Sequence, residues 1–217
     1  ALKRKFLDRK ARIGVIGLGY VGLPLIEAFN DKGFDTLGCD IDPVKVKGLN
    51  NGRSPIKIIA DRRVKAMVKS GRFAATTDFS RLRSCDAIII CVPTPLTRHR
   101  EPDISYVVET GRTVARHLRR GQLVVLESTT YPGTTIEDLR PVLEASRLKS
   151  GRDFHLAYSP EREDPGNPTY GTRVIPKVVD GDGKAARQLA MAMTGQLDVS
   201  TVPVSSPPTA EAEKLTE

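Results

Sequence analysis

The chain has 217 residues, of which 39% are apolar and 28% are charged. These proportions exclude a fibrous or low-complexity protein, and the length is sufficient for one large domain with its own core. The apolar runs are far shorter than the roughly 18 residues of a membrane span, and the charged N-terminus lacks the apolar region of a secretory signal. The sequence therefore predicts a cytoplasmic protein with no membrane partner.

The basic charge is concentrated at the N-terminus. The formal net charge is +8, and residues 1–12 hold six Lys and Arg side chains against a single Asp. We interpret residues 1–10 as a basic N-terminal arm, which could attract an anionic small substrate. Because the arm lacks interleaved aromatic residues and the chain has no Trp, the sequence predicts no nucleic-acid partner.

The cysteines and histidines do not form a metal-binding pattern. Three cysteines, Cys39, Cys85 and Cys91, are too few for a disulfide framework and lack the close pairing of a zinc site. We expect them to be buried, reduced thiols. The three histidines are scattered without i, i+4 pairing, so the sequence predicts no metal.

Short β-branched runs alternate with longer amphipathic segments along the chain. In chain order, the pattern predicts strand 12–16, helix 20–32, strand 36–39, helix 43–49, helix 59–70, strand 73–76, strand 87–92, helix 104–118, strand 123–126, helix 136–146, strand 154–157, strand 177–179 and helix 184–193. This rhythm is typical of βαβ units, so we expect an α/β fold: a doubly wound, mainly parallel sheet of Rossmann type, flanked by helices on both faces. Pro24 falls inside the first helix and is expected to kink it.

The predicted domain spans residues 11–203. Residues 205–207 supply the cap and first turn of a further helix, and no stop signal follows before Glu217. We therefore interpret residues 204–217 as the start of an inter-domain helix, in a chain truncated before its C-terminal domains.

A glycine-rich turn lies between the first predicted strand and helix. Gly17, Gly19 and Gly22 have the G-x-G-x-x-G spacing, in which the glycines permit a tight turn, close approach of a pyrophosphate and close helix packing. The N–H groups of Tyr20 and Val21 would face that anion. The turn predicts a dinucleotide site, although glycines that serve only a tight turn remain an alternative.

Asp40 ends the second predicted strand, where a dinucleotide's adenosine ribose would be bound. Its negative charge would repel a 2′-phosphate, and Ile41 rather than an arginine follows it, so the sequence favours NAD over NADP. Asp42 adds a second carboxylate. Lys45 could reach the adenosine side of the cofactor, or could be a surface lysine.

Three polar turns follow the fourth, fifth and sixth predicted strands, at residues 91–95, 127–135 and 159–166. Ligands bind at the carboxyl ends of strands in open α/β sheets, so we expect these turns to converge. Taken singly, each also has the composition of an ordinary Pro/Thr/Gly turn.

Together these segments resemble the UDP-glucose/GDP-mannose dehydrogenase family. The resemblance rests on the glycine turn with Tyr20, Val21 and Pro24, on Val-Pro-Thr-Pro at 92–95, on Ser-Thr-Thr-Tyr-Pro-Gly-Thr at 128–134 and on Ser-Pro-Glu at 159–161. Residues 159–168 and 173–177 resemble most the UDP-N-acetylglucosamine 6-dehydrogenase branch, and residues 209–215 are similar to the family's connecting helix.

The resemblance implies NAD-dependent oxidation of the C6 alcohol of a nucleotide sugar, UDP-N-acetylglucosamine, to a carboxylate, for surface-polysaccharide precursors. Two NAD molecules take part, and a cysteine carries the thiohemiacetal and thioester. Thr94 and Thr129 would lie against NAD, with Thr129 also holding a water. Glu161 would be the base in thioester hydrolysis, and Lys214 would stabilise the oxyanion. The family also implies a nucleotide-sugar substrate partner and a homo-oligomer.

The chain departs from the family pattern at two places. Pro165 stands where some relatives carry a second glutamate, which leaves any role for Glu163 or Asp164 open. No cysteine of this chain lies in the Gly-rich motif of the family's nucleophile, so the chain alone is expected to be inactive. Three alternatives stay open: another two-domain dehydrogenase, for example one acting on hydroxy acids; a non-catalytic NAD-binding module; and a nucleic-acid-binding protein that uses the arm.

Overall fold

The short β-branched runs of the sequence form strands, and the amphipathic segments form helices. The computed structural model describes residues 1–95, 102–160, 177–197 and 201–203, together with Glu211. In chain order, its helices and strands are α1 (Leu2–Leu7), β1 (Arg12–Ile16), α2 (Gly22–Asp31), β2 (Asp35–Cys39), α3 (Pro43–Asn50), α4 (Asp61–Lys69), β3 (Phe73–Thr76), β4 (Ala87–Ile90), α5 (Ser105–His117), β5 (Leu123–Leu126), α6 (Arg140–Glu144), β6 (His155–Tyr158), β7 (Lys177–Gly181), α7 (Lys184–Thr194) and β8 (Thr201–Pro203). Short 3₁₀ turns lie at Phe79–Ser84 and Gly195–Leu197, and a π-helical turn at Thr134–Leu139.

Eight strands form one sheet in the order β3-β2-β1-β4-β5-β6-β7-β8. The strands from β3 to β6 are parallel, β7 is antiparallel to β6, and β8 is parallel to β7. The chain reverses its direction of winding between β1 and β4, where Ile16 is in register with Cys39 on one side and Ile90 on the other. The predicted α/β class is confirmed, and ligands of such sheets bind at this reversal.

Both faces of the sheet are buried, because successive side chains of a strand point to opposite faces. On β4, Ile89 belongs to one core cluster, and Ile88 and Ile90 belong to the other. Side chains of α1 to α4 and α7 complete the first cluster. Side chains of α5, α6 and the Phe79–Ser84 turn complete the second. The sheet is therefore covered by helices on both faces.

The N-terminal segment, described above only as a basic arm, contains helix α1. Its Phe6 is fully buried in the first core cluster, where α1 packs against α7. Lys5 Nζ lies 2.8 Å from Asp86 Oδ1, which ties the helix to the residue preceding β4. Burying one Phe side chain completely stabilises a fold by about 1.5–3 kcal/mol. Part of the N-terminal charge is therefore held in place by the fold.

Two expectations about helices were wrong. The predicted helix 136–146 is instead a π-helical turn followed by α6. Pro141 has no N–H to donate to the carbonyl of Glu137, so the regular α-helical bond cannot form there and the preceding turn widens. The first long helix begins at Gly22, later than expected, which places Pro24 in its first turn. A proline is tolerated there because the first N–H groups of a helix lack intrahelical acceptors. No helix in the described ranges is long and apolar enough to cross a bilayer.

Candidate functional site

The glycine turn after β1 fits tightly against its neighbours. Gly17 has a positive φ of 92°, and a Cβ on it would lie 2.4 Å from the carbonyl oxygen of Cys91. A Cβ on Gly22 would lie 1.8 Å from the carbonyl oxygen of Gly17. Both positions therefore require glycine, for close approach of backbone to backbone. The turn and the start of α2 are locked onto the ends of β1 and β4.

The outer side of the same turn is open. A Cβ built on Gly19 would meet no atom within 4 Å, and Tyr20 is 52% exposed. Helix α2 starts directly afterwards, and the N-terminus of a helix favours an anion. An anion can therefore approach the backbone at Gly19 closely, and the residues present fit a dinucleotide.

Asp40 lies at the carboxyl end of β2 and is only 6% exposed. Its Oδ2 accepts hydrogen bonds from Leu18 N–H at 2.9 Å and from Lys45 Nζ at 2.8 Å, and its Oδ1 accepts one from Asp42 N–H at 3.0 Å. Burial raises the pKa of Asp40, but the hydrogen bonds from Lys45, Leu18 and Asp42 outweigh burial and lower that pKa below its ordinary value. Asp40 is therefore ionised at neutral pH.

The carboxylate of Asp40 keeps capacity for a ligand. A carboxylate has about four acceptor positions, and the three donors use two on Oδ2 and one on Oδ1. Lys45, on α3, stands beside it as a donor. Asp42 has a different function: its Oδ1 accepts from Val44 N–H at 2.8 Å and from Lys45 N–H at 3.2 Å, which caps α3.

The turns after β4 and β5 are joined to each other. The hydroxyl of Ser128 donates to the carbonyl of Val92 at 2.7 Å. Thr94, two residues after Val92, is partly buried, and Thr129 is exposed. As the convergence of strand ends predicted, the two turns that contain these threonines lie side by side, next to the strand that leads into the glycine turn.

The far end of the β5 turn is held by a residue that the sequence analysis did not single out. Glu211 is fully buried, and its carboxylate accepts from Gly133 N–H at 2.5 Å, from Thr135 N–H at 2.8 Å and from the Thr135 hydroxyl at 2.6 Å. Burial raises the pKa of Glu211, which these donors only partly oppose. No local signal could have found it, because the contact joins residues more than 70 positions apart in a polar segment.

Of the turn predicted at residues 159–166, only residues 159 and 160 lie among the described residues. Ser159 is fully buried, and its N–H donates to the carbonyl of Leu126 at 3.0 Å, which places the start of this turn beside the β5 turn. The predicted catalytic residues Glu161 and Lys214 lie outside the described residues.

The thiols are distributed as expected for two of the three cysteines. Cys39 and Cys85 are fully buried, and burial raises the pKa of Cys39 to about 12 and that of Cys85 to about 11. Cys91, next to the glycine turn, is only partly buried. The first two are inert packing residues rather than nucleophiles.

A surface groove of about 710 Å³ lies between α5 and α6. Its lining includes Arg112, Arg116 and Val142 and contains none of the predicted site residues. The arrangement of the glycine turn and Asp40, rather than this groove, therefore defines the candidate site.

The chain is similar to known proteins over most of its length. Residues 11–196 match the model of the UDP-glucose/GDP-mannose dehydrogenase family, NAD binding domain. A UDP-N-acetyl-D-mannosamine dehydrogenase of Pyrococcus horikoshii is 36% identical over 95% of this chain and 49% of its own length. A UDP-N-acetyl-D-glucosamine 6-dehydrogenase of Pseudomonas aeruginosa is 34% identical over 95% of this chain and 48% of its own length.

The fold has close solved counterparts. The crystal structure of an NDP-N-acetyl-D-galactosaminuronic acid dehydrogenase from Methanosarcina mazei superposes with a TM-score of 0.87 at 32% identity, over the whole of this chain and 49% of that chain. The chain spans about half the length of the curated relatives it matches. By sequence and by structure, the chain belongs to the UDP-glucose/GDP-mannose dehydrogenase family and matches its NAD-binding domain.

Proposed function

We propose that this chain is the cofactor-binding part of a UDP-sugar 6-dehydrogenase that oxidises UDP-N-acetylglucosamine at C6 to a carboxylate with two NAD, for surface-polysaccharide precursors. The observation that carries the proposal is the tight glycine turn with an ionised Asp40 beside it, next to the joined turns after β4 and β5. The names of the relatives support a nucleotide N-acetyl-amino sugar as the substrate class.

The adenosine half of NAD would bind at the ends of β1 and β2. The N–H groups of Tyr20 and Val21 would face the pyrophosphate, above the open side of Gly19. Asp40 would accept a ribose hydroxyl and Lys45 would donate to the ribose. Ile41 and Val44, which are 83% and 79% exposed, would provide apolar surface for the adenine.

The reacting half would lie over the turns after β4 and β5. When bound, NAD supplies the acceptor for hydride from the sugar carbon. Thr94 and Thr129 would hold the reacting end, and Thr129 would also orient the water that attacks the thioester. Glu161 would take the proton from that water, and Lys214 would donate to the developing oxyanion. The assignments of Glu161 and Lys214 rest on the sequence resemblance.

The extent of the domain and the cellular context stay predictions. We keep residues 11–203 as the NAD-binding domain and residues 204–217 as the start of an inter-domain helix; the family match over 11–196 supports the first of these. The cytoplasmic location and the homo-oligomer of the longer protein are expectations from the sequence.

The test uses the natural gene product that includes this chain. We expect two NADH for each UDP-N-acetylglucosamine consumed, and slower turnover with UDP-N-acetylmannosamine and GDP-mannose, followed by the absorbance of NADH. The Asp40→Ala variant serves as the control for turnover that depends on this site. Binding of NAD without NADH formation from any of the three sugars would favour a non-catalytic module instead.

A further inference from the structure

Glu211 is a buried carboxylate to which the function proposed above gives no role. Its two oxygens receive three donors, all from Gly133 and Thr135, at 2.5 to 2.8 Å. Removing a carboxylate from water is costly unless such donors replace the water, and charge-assisted hydrogen bonds are about twice as strong as neutral ones. The contact therefore fixes the end of the turn at residues 128–135.

The start of that turn is fixed separately. Ser128 donates to the carbonyl of Val92, while inside the turn the Thr134 hydroxyl donates to the carbonyl of Tyr131 at 2.7 Å and the Tyr131 hydroxyl donates to Asp138 at 2.8 Å. Thr129 follows Ser128 directly and is exposed. Its position therefore depends on a turn that is fastened at both ends, at one of them by Glu211.

We propose that Glu211 is a positioning residue: it fixes the 128–135 turn so that Thr129 is held against the reacting end of the cofactor. The inference rests on the role proposed for Thr129. In the sequence, Lys214 follows Glu211 by three positions.

The test compares the affinity of the 217-residue chain for NAD with its affinity for ADP-ribose, which lacks the nicotinamide. Both are measured by calorimetry. Glu211→Gln should weaken the affinity for NAD about 3- to 30-fold, because the substitution replaces one acceptor oxygen by an NH₂ donor. It should change the affinity for ADP-ribose less than about twofold. Thr135→Val removes the hydroxyl donor and keeps the side-chain volume. Thr135→Val should also weaken the affinity for NAD selectively, but to a smaller extent. If Glu211→Gln does not fold, Thr135→Val provides the test.

Asp153→Asn is the matched control. Asp153 is also a buried carboxylate, paired with Arg120 and Arg152, but it lies before β6, at the opposite edge of the sheet. This variant should lower the melting temperature without changing the ratio of the NAD and ADP-ribose affinities.

A Thr129→Ala variant separates the two proposals. Unchanged affinities in Thr129→Ala would contradict the role of Thr129 and, with it, the positioning role. If Thr129→Ala selectively weakens the affinity for NAD, and neither Glu211→Gln nor Thr135→Val does so, the positioning role alone is overturned. When Glu211→Gln adds no further selective loss in the Thr129→Ala background, the positioning role is supported.

Discussion

Lys45 and Asp40 form an ion pair at the carboxyl end of β2, with Nζ 2.8 Å from Oδ2. Asp40 is buried and Lys45 is partly buried, so the pair is screened less by salt than a fully exposed ion pair. The adenosine ribose of a cofactor bound at this end of β2 would lie next to this pair of charges.

The chain should bind NAD markedly more tightly than NADP, because the ionised Asp40 would repel a 2′-phosphate. Asp40→Ala should cost about 1–3 kcal/mol of NAD binding, since a ribose hydroxyl loses a charged acceptor. Calorimetric titration with both cofactors checks this. Asp42→Asn is the control: it removes a carboxylate two residues away but keeps a side-chain oxygen to cap α3. Equal affinities for NAD and NADP would contradict the role of Asp40.

Asp86 should make the stability of the fold depend on pH. Burial raises the pKa of Asp86, but hydrogen bonds from Lys5, Arg12 N–H and Arg119 lower that pKa below its ordinary value of 3.8. The ionised form therefore stabilises the fold above that value, and this stabilisation is lost as the pH falls through the folded-state pKa. Asp86→Asn should lower the free energy of unfolding by about 1–3 kcal/mol at pH 7.

The measurement is urea denaturation of the wild type and Asp86→Asn between pH 7 and pH 3. The difference in the free energy of unfolding should shrink below about pH 4. Asp8→Asn, which breaks an exposed pair with Arg4, should change that energy by less than about 0.5 kcal/mol. A difference between wild type and Asp86→Asn that stays constant over this pH range would contradict the assignment.

The 217-residue chain should not oxidise UDP-N-acetylglucosamine. Burial raises the pKa of Cys39 to about 12 and that of Cys85 to about 11, so both thiols stay protonated at pH 8. Cys91, like the other two, lies outside any Gly-rich motif of the kind that holds the family's nucleophile. Incubation with the sugar and NAD should produce no sustained NADH absorbance. As a control, a thiol reagent should label Cys91 of the native chain before the two buried cysteines. Sustained turnover by the pure chain would show that a thiol within it acts as the nucleophile.

Glu161→Gln, made in the natural gene product that includes this chain, should allow hydride transfer but block hydrolysis. An amide cannot take the proton from the attacking water, and loss of a general base slows a step by roughly 100- to 10,000-fold. We expect a burst of up to two NADH per active site, then almost no steady turnover, with a cysteine adduct visible by intact-protein mass spectrometry. Glu109→Gln, on the exposed side of α5, should behave like the wild type. Unchanged turnover without an adduct would show that Glu161 is not the base in thioester hydrolysis.

The sequence predicted the parts of the fold that depend on local pattern. Strands such as Ala87–Ile90 are continuous β-branched or apolar runs, which have few alternatives to a buried strand. The glycine turn and Asp40 could be recognised because their spacing matches the pattern of dinucleotide-binding turns. In α1, the i, i+4 pair of Leu2 and Phe6 was an available signal that the basic composition concealed.

The remaining features depend on contacts that the local sequence does not record. The π-helical turn at Thr134–Leu139 combines Pro141 with the left-handed backbone of Gly133, whose φ is 101°. The role of Glu211 depends on donors far away in the sequence. Lys45 was identified as a candidate, but its ion pair with Asp40 could only be seen once β2 and α3 were placed together.

The buried position of Phe6 affects how the domain can be isolated. A boundary drawn where the family match begins, at residue 11, would remove α1 and leave an apolar slot beside α7 open to water. An apolar surface that is newly exposed to water favours association between molecules. A shortened version that starts at residue 11 should therefore yield less soluble material than one that keeps the first ten residues, and an affinity tag is better attached ahead of Leu2 through a flexible linker.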